Sequence, residues 1–94
     1  DYPEAHNNLG VLLFTRGDIT AAKGHYLEAV RLKSGYADAH TNLGNALFRE
    51  ENWEGASGEY REALRLNPGL IEARNNLRMV MEELEKREAA VREE

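Results

Sequence analysis

Cysteine, long apolar stretches and an excess of basic charge are all missing from this sequence, and each absence removes a class of protein. The 94 residues contain no cysteine, which excludes a disulfide framework and a thiolate metal site. No apolar run approaches a membrane-spanning length and no signal-peptide pattern is present, so we expect no membrane partner. The formal net charge of −5 argues against nucleic acid as the main partner, since phosphate binders gather lysine and arginine on one face.

Catalytic motifs are missing as well. Phosphate-binding glycine loops and nucleophile motifs do not occur. Carboxylates are plentiful, but nothing resembles an acid and a base held at catalytic separation, and adjacent pairs point apart on a helix: Glu50-Glu51, Glu82-Glu83 and Glu93-Glu94. Of three histidines, we expect His6 and His40 to pack inside pairs of helices and His25 to face elsewhere, so no close histidine pair is available for a metal. The sequence therefore predicts a protein that is not an enzyme, with no cofactor and no bound metal.

What the sequence does contain is one pattern of 34 residues, present twice and begun a third time. Shifting residues 3–36 onto 37–70 without a gap superimposes many identical residues: His6 on His40, Asn8 on Asn42, Leu9-Gly10 on Leu43-Gly44, Ala22 on Ala56 and Tyr26 on Tyr60. A third copy opens at Ile71, where Ala73, Asn76 and Leu77 keep the register. Self-similarity at such a period indicates an array of helical repeats.

Each unit is predicted to form two helices, because its apolar and small residues fall into two groups at helical spacing. In the polar turn between the groups, Asp18 and Asn52 are suited to cap the helix that follows. Gly35 and Pro68 mark the end of the second helix of each unit. Residues 71–94 contain neither glycine nor proline, so we expect one long helix that covers the end of the second unit and carries a charged, solvated tail.

These residues resemble the tetratricopeptide repeat family, whose pattern runs Trp-x-x-Leu-Gly-x-x-Tyr, then Ala-x-x-x-Phe and a proline. Here the pattern is His6-x-x-Leu9-Gly10-x-x-Leu13 with Ala22-x-x-x-Tyr26, and again His40-x-x-Leu43-Gly44-x-x-Leu47 with Ala56-x-x-x-Tyr60. Departures are the two histidines in place of tryptophan, Ser34 in place of proline, and Arg74 and Arg78 in place of the large residue and the close-packing glycine.

The resemblance implies an all-α fold in which antiparallel helix-turn-helix repeats stack as a short right-handed superhelix, an α-solenoid. We expect about five helices, ending in a long C-terminal capping helix. Residues 1–94 would form a single module, with repeats over 3–36 and 37–70 and a partial repeat or cap over 71–94. Because the chain does not begin with methionine, we expect it to be a piece of a longer protein.

Asn8, Asn42 and Asn76 recur at intervals of 34 residues on the first helix of each unit, each directly before a leucine that we expect to be buried. The resemblance implies that first helices line a concave face and that this position points into its groove. An asparagine side chain both donates and accepts hydrogen bonds, so the ladder predicts a grip on the backbone of an extended peptide. It is similar to the asparagine ladder in the repeat domain of O-GlcNAc transferase, which holds protein substrates by their main chain. Alternatively, each asparagine bonds within its own helix or to a neighbouring unit.

Acidic and neutral polar residues flank this ladder. Glu4, Asp38 and Glu72 hold the second position of each unit, and the rest of the predicted floor includes Asn45 and Asn75. Family members that bind acidic chaperone tails clamp carboxylates with lysine and arginine, whereas Glu72 and Asn76 stand where two of those cations are expected, and only Asn42 matches that clamp. We therefore expect an extended, neutral to basic protein or peptide partner. The acidic triplet also suits the first turn of a helix, where a carboxylate contributes about 0.3–1 kcal/mol through the helix dipole.

The function that these patterns favour is that of a non-catalytic protein-protein interaction module. One alternative is an assembly scaffold that stacks through its terminal helices, because Leu77, Leu84 and Val91 recur every seven residues and allow self-association through the C-terminal helix. Another alternative is the substrate-recruiting arm of a larger enzyme.

Overall fold

The computed structural model of the chain describes residues 2–93, in which all regular structure is helical. The five helices are α1 (Pro3–Thr15), α2 (Ile19–Leu32), α3 (Ala37–Arg49), α4 (Trp53–Leu66) and α5 (Ile71–Glu93). The first hairpin (α1 and α2) stacks on the second hairpin (α3 and α4), and α5 packs on α4. The molecule is elongated, with principal extents of 49 × 28 × 19 Å. The predicted all-α solenoid with a long C-terminal helix is confirmed.

The turn inside each hairpin is fixed by a side-chain cap and by one left-handed residue. The Ala21 amide donates to Asp18 Oδ1 at 3.3 Å, and the Gly55 amide donates to Asn52 Oδ1 at 3.0 Å, as the sequence predicts. The residue before each cap has a positive φ, 87° at Gly17 and 60° at Glu51. The two hairpins therefore turn in the same way at equivalent positions.

The core contains Leu43, Val80, many alanines and two tyrosines that lie against glycines. Tyr26 is 2% exposed and Tyr60 is fully buried. A Cβ atom at Gly10 would lie 2.5 Å from Tyr26 Cε1, and one at Gly44 would lie 2.6 Å from Tyr60 Cε1. No side chain fits at either glycine unless the ring moves. Fully buried alanines cluster with the two rings, Ala22 and Ala46 with Tyr26 and Ala56, Ala63 and Ala73 with Tyr60. Ala29 and Ala39 are fully buried as well.

Helix α5 continues for 23 residues where the earlier units turn back into a second helix. Its Arg78 occupies the repeat position of Gly44, so a tyrosine-bearing helix cannot approach it as α4 approaches α3. The buried Val80 and the half-buried Leu77 and Leu84 pack against α4 instead. Within residues 2–93, no helix is both long enough and apolar enough to cross a membrane.

The outer face of α1 differs from the sequence expectation. Leu9 is 41% exposed, whereas Leu43 at the equivalent position of α3 is 2% exposed. Leu12 is likewise exposed, and its counterpart Ala46 is buried. The expectation that Leu9 is buried is wrong, because α2 covers this face of α3 and no helix of the described residues covers the same face of α1.

Gly44→Ala is expected to lower the free energy of unfolding by about 1–3 kcal/mol, because the added methyl group would collide with the Tyr60 ring. Gly58→Ala is the matched control: Gly58 lies exposed in α4, and an added Cβ there meets nothing within 4 Å. This control should raise stability by about 0.4–1 kcal/mol. Urea unfolding followed by circular dichroism measures both changes, and equal effects would contradict the requirement for glycine beneath the tyrosine.

Candidate functional site

Helices α1, α3 and α5 lie side by side and form one face of the molecule, since α3 contacts both of the others. Two cavities open along this face, and we call them together the groove. The first has a volume of about 200 Å³ and is lined by Asn7, Asp38, Thr41, Asn42, Leu70 and Glu72. The second has a volume of about 270 Å³ and is lined by Phe14, Asn45, Phe48, Arg49, Tyr60, Glu72, Asn76 and Met79. The first half of α3 thus borders one cavity and its second half borders the other.

A larger cavity, of about 570 Å³, lies away from the groove, between the start of α4 and the second half of α5. Its lining includes Leu84 and Val91, two of the residues in the seven-residue spacing. An ion pair between Glu54 and Arg87, at 3.1 Å, joins the two helices beside it. This cavity shares no lining residue with the groove.

Asparagine amides join neighbouring helices along the groove. Asn42 Nδ2 on α3 donates to Asn7 Oδ1 on α1 at 2.9 Å, and Asn76 Nδ2 on α5 donates to Asn45 Oδ1 on α3 at 3.0 Å. The Tyr60 hydroxyl, from α4, donates to the same Asn45 oxygen at 2.5 Å. Both lone pairs of that oxygen are therefore engaged, and the groove is connected directly to the core tyrosine.

The predicted asparagine ladder is only partly present in the groove. Asn42 and Asn76 line the two cavities, but Asn8 is exposed on α1 and lines neither. Asn7, one residue earlier, is 7% exposed and bonds to Asn42. Asn75 is also exposed and lines neither cavity. These hydrogen bonds fit the alternative in which asparagines bond to a neighbouring unit, and the peptide-binding role of the ladder stays a prediction.

Glu72 is the carboxylate at the centre of the groove, where it lines both cavities. Asn45 Nδ2 donates to its Oε2 at 3.4 Å. Burial raises the pKa of Tyr26 to about 12, and the Glu72 charge adds to the rise. Burial also raises the pKa of Tyr60 above its ordinary value; the Asn76 side chain lowers this pKa and the Glu72 charge raises it further. Both core hydroxyls therefore stay protonated and able to donate at neutral pH.

The other predicted carboxylates lie at different depths. Glu4 is exposed and forms an ion pair with Lys33 at 3.5 Å. Asp38 is exposed and lines the first cavity. Among residues 2–93, neither Asp38 nor Glu72 forms an ion pair with a lysine, arginine or histidine. The first cavity is therefore lined by two carboxylates and no cation, whereas the second cavity is lined by Glu72 together with Arg49.

Aromatic residues of the second cavity were missed by the sequence analysis. Phe14 and Phe48 line it from the ends of α1 and α3, and the Arg49 guanidinium lies 5.4 Å from the centroid of the Phe14 ring. The signal for them was available, because the two phenylalanines recur at the same 34-residue interval as the asparagines. The Tyr60 hydroxyl left no such signal, since a core tyrosine does not reveal where its oxygen points.

The expectation that His25 faces away from His6 is wrong. The Nδ1 atoms of the two rings lie 3.1 Å apart between α1 and α2. His25 lies three residues after buried Ala22 and four before buried Ala29, so it shares the face of α2 that turns toward α1. Within residues 2–93, no three side chains of histidine, cysteine, aspartate or glutamate are arranged to hold a metal ion.

Comparison with known proteins agrees with the repeat geometry. The first TPR of Spaghetti (RPAP3), solved with the HSP90 peptide SRMEEVD, has a TM-score of 0.85 and 29% identity, over 87% of this chain and 65% of that chain. The first TPR domain of human RPAP3 has a TM-score of 0.86 and 29% identity, over 93% of this chain and 68% of that one. A crystal structure of MamA has a TM-score of 0.86 and 27% identity, over 97% of this chain and 53% of that one.

This chain thus spans 65% of the Spaghetti (RPAP3) domain and about half of MamA. No curated protein sequence matches it significantly. A family model, described as tetratricopeptide repeat, matches residues 7–71, which include both hairpins almost completely. The chain therefore belongs to the tetratricopeptide repeat family.

Proposed function

We propose that this chain is a non-catalytic protein-interaction module whose groove binds an extended peptide segment. Domains of this family are generally interaction modules without catalytic activity, and the similar Spaghetti (RPAP3) domain binds a peptide of HSP90. We propose repeats over 3–36 and 37–70 and a partial repeat or cap over 71–94; the two hairpins and helix α5 support this division. The observation that carries the proposal is the row of positioned amides beside two cavities on one face.

Asn42 is the amide best placed to bind a peptide backbone. It is half-buried in the first cavity, and its bond to Asn7 is the one hydrogen bond of its side chain within residues 2–93. Its carbonyl oxygen and second N–H group therefore remain for a ligand, one to accept from a peptide N–H and the other to donate to a peptide carbonyl. Because the bond to Asn7 already orients the amide, peptide binding loses little further side-chain entropy.

The remaining predicted site residues differ in how directly they would contact a peptide. Asn76 is oriented by Asn45 in the same way that Asn42 is oriented by Asn7. Asn45, whose oxygen is already engaged twice, positions Asn76 and Glu72. Three further predicted residues are exposed and line neither cavity, and we propose for them at most contacts with the ends of a bound segment: Glu4, Asn8 and Asn75.

The charge of the groove favours a neutral to basic segment. Asp38 and Glu72 are unbalanced carboxylates beside the first cavity, so a lysine or arginine of the ligand would gain an ion-pair partner there. The peptide SRMEEVD, which the Spaghetti (RPAP3) domain binds, would instead place its own carboxylates against them. We therefore propose that this chain and that domain share a fold and prefer ligands of opposite charge.

The second cavity supplies an apolar anchor. Phe14, Phe48 and Met79 line a volume of about 270 Å³, which is large enough for one side chain of a peptide. Burying such a side chain contributes about 1.5–3 kcal/mol. A preferred ligand therefore has a basic residue at the first cavity and an apolar residue at the second.

Fluorescence anisotropy with labelled extended peptides tests this proposal. Basic and neutral members that carry an apolar residue should bind, and the acidic SRMEEVD should bind more weakly. The Asn8→Ala/Asn42→Ala/Asn76→Ala variant should lose at least about tenfold in affinity, the loss that two or three backbone hydrogen bonds supply. Circular dichroism and urea unfolding verify that this variant remains folded.

Two further variants isolate the charge. Asp38→Asn/Glu72→Gln should lower the affinity for basic peptides by about fivefold or more and leave the affinity for neutral peptides unchanged. Glu88→Gln is the control, because it removes an exposed carboxylate of α5 outside the groove. It should change neither the affinity for basic peptides nor the affinity for neutral ones. Tightest binding by SRMEEVD, or full affinity in the folded triple-alanine variant, would contradict the proposed function.

A second candidate function, assembly of copies of the chain, is favoured by exposed apolar residues at both ends. On α1, Leu9 and Leu12 present a face that is buried at the same position of α3. On α5, Val91 is 71% exposed and borders the cavity of about 570 Å³ with Leu84. Stacking the α1 face of one copy on the α5 end of a second copy would cover both sets.

Analytical ultracentrifugation over a range of concentrations tests assembly. The assembly proposal predicts a mass that rises above the 10.6 kDa of one chain, and Val91→Glu or Leu9→Glu should restore the monomer because each places a charge in the contact. The triple-alanine variant of the groove is the control and should assemble normally. A constant mass of one chain at all concentrations would rule this function out.

A further inference from the structure

The two hairpins carry different pairs of side chains at one equivalent position between their helices. In the first hairpin, His6 of α1 faces His25 of α2, with 3.1 Å between the two Nδ1 atoms. In the second hairpin, 34 residues later, His40 of α3 faces Glu59 of α4, with 2.7 Å between Nδ1 and Oε1. One hairpin is therefore closed by two bases and the other by a base and an acid.

The contact between His6 and His25 accommodates a single proton. The ring centroids are 5.3 Å apart and the Nδ1 atoms 3.1 Å, so each ring directs its Nδ1 toward the other. A hydrogen bond in this arrangement requires one Nδ1 to donate and the other to accept. When both imidazoles are protonated, two positively charged rings direct N–H groups at each other, and the bond is lost.

His40 has the opposite requirement. Its Nε2 lies 2.8 Å from the backbone oxygen of Ser34, which can only accept, so Nε2 carries a hydrogen. Its Nδ1 faces the Glu59 carboxylate, which also accepts when ionised. Both hydrogen bonds are made at once when His40 is protonated. Protonation therefore completes the contact in the second hairpin and breaks the contact in the first.

The charged surroundings of the two positions are matched. In the first hairpin Glu28 is held by Arg31, whose hydrogen bond is the main cause of the lowered pKa of Glu28, and His6 contributes to the lowering. In the second hairpin, Glu62 is held by Arg65 and influenced by His40 in the same manner.

Beyond these groups, Glu4 on α1 is paired with Lys33, at 3.5 Å, near the end of α2. The two positions differ in the groups that face the histidine on the first helix of each hairpin. His6 faces His25 on α2, whereas His40 faces Glu59 on α4. His40 also contacts the carbonyl of Ser34, in the connection between α2 and α3.

We propose that the first hairpin is a pH-sensitive joint, in which acidification separates α1 from α2 while the second hairpin stays closed. The closed contact has room for one hydrogen between the two Nδ1 atoms, whereas two separated rings have no such restriction. Stability rises with pH wherever the open state binds more protons. The closed population of α1 therefore falls as the pH drops, by up to about tenfold per pH unit. Histidine is the residue type whose charge generally changes between pH 5 and 8, so the test below compares pH values inside that range.

The joint has a consequence for the groove. Helix α1 carries Asn7, whose side-chain oxygen accepts the Asn42 hydrogen bond in the first cavity. Separation of α1 removes that wall of the cavity, so a bound segment is released on acidification. This release rests on the proposed function, whereas the joint itself depends only on the histidine contact.

Amide hydrogen exchange, corrected for the pH dependence of the intrinsic rate, measures the joint directly. Between pH 7.5 and 5.5, protection of α1 amides should fall by about tenfold or more relative to α3 amides. His25→Gln is the neutral control: its amide donates and accepts at every pH, so the loss should disappear. A wild-type α1 with no selective loss of protection would overturn the proposal.

Exchanging the pairs gives a second test. His25→Glu gives the first hairpin the pair of the second, and acidification should then preserve or increase α1 protection. Glu59→His makes the reverse change and should transfer the acid-induced opening to α3 and α4. Acid opening of α1 that persists in folded His25→Glu would refute the joint. Peptide affinity measured on the same samples tests the groove separately: an α1 that opens without loss of binding counts against the groove and leaves the joint intact.

Discussion

The close approach of a tyrosine ring to a glycine backbone is the contact on which the rest of this structure depends. Tyr26 on Gly10 and Tyr60 on Gly44 set the distance between the helices of each hairpin, and the alanines around them allow the hairpins to stack. The same contact extends to the surface, because the Tyr60 hydroxyl bonds Asn45, whose oxygen also holds Asn76. Core packing thus determines the orientation of an amide in the groove.

Most elements of the fold were predictable, because the apolar spacing and the turn residues occur in both complete repeats. Helix caps at Asp18 and Asn52 and the long final helix follow from local chemistry alone. Features that depend on how far one helix is offset from the next were not predictable. Periodicity aligned Asn8 with Asn42, yet the amide that meets Asn42 belongs to Asn7. A 34-residue repeat relates equivalent positions, but a contact between units joins positions that are not equivalent.

Asparagines that hold the helices together and asparagines that bind a ligand need not be different residues. Asn42 uses one N–H group to join α3 to α1 and keeps the rest of its amide for the cavity. A substitution at this position removes a helix-helix bond and leaves the buried Asn7 oxygen without its donor, and under the proposed function it removes a ligand group as well. Affinity and stability therefore have to be measured side by side before the loss of one is assigned to the groove.

The residue before each cap adopts the same left-handed conformation in both hairpins, but the free-energy cost has a different origin in glycine and in glutamate. Gly17 adopts a φ of 87° without steric cost, but a glycine has the most freedom to lose when the chain orders. Glu51 adopts a φ of 60° against the repulsion of its own Cβ, yet has fewer unfolded conformations to give up. The entropic penalty at Gly17 grows in proportion to temperature, whereas the steric penalty at Glu51 does not. On heating, the turn between α1 and α2 therefore weakens faster than its counterpart between α3 and α4.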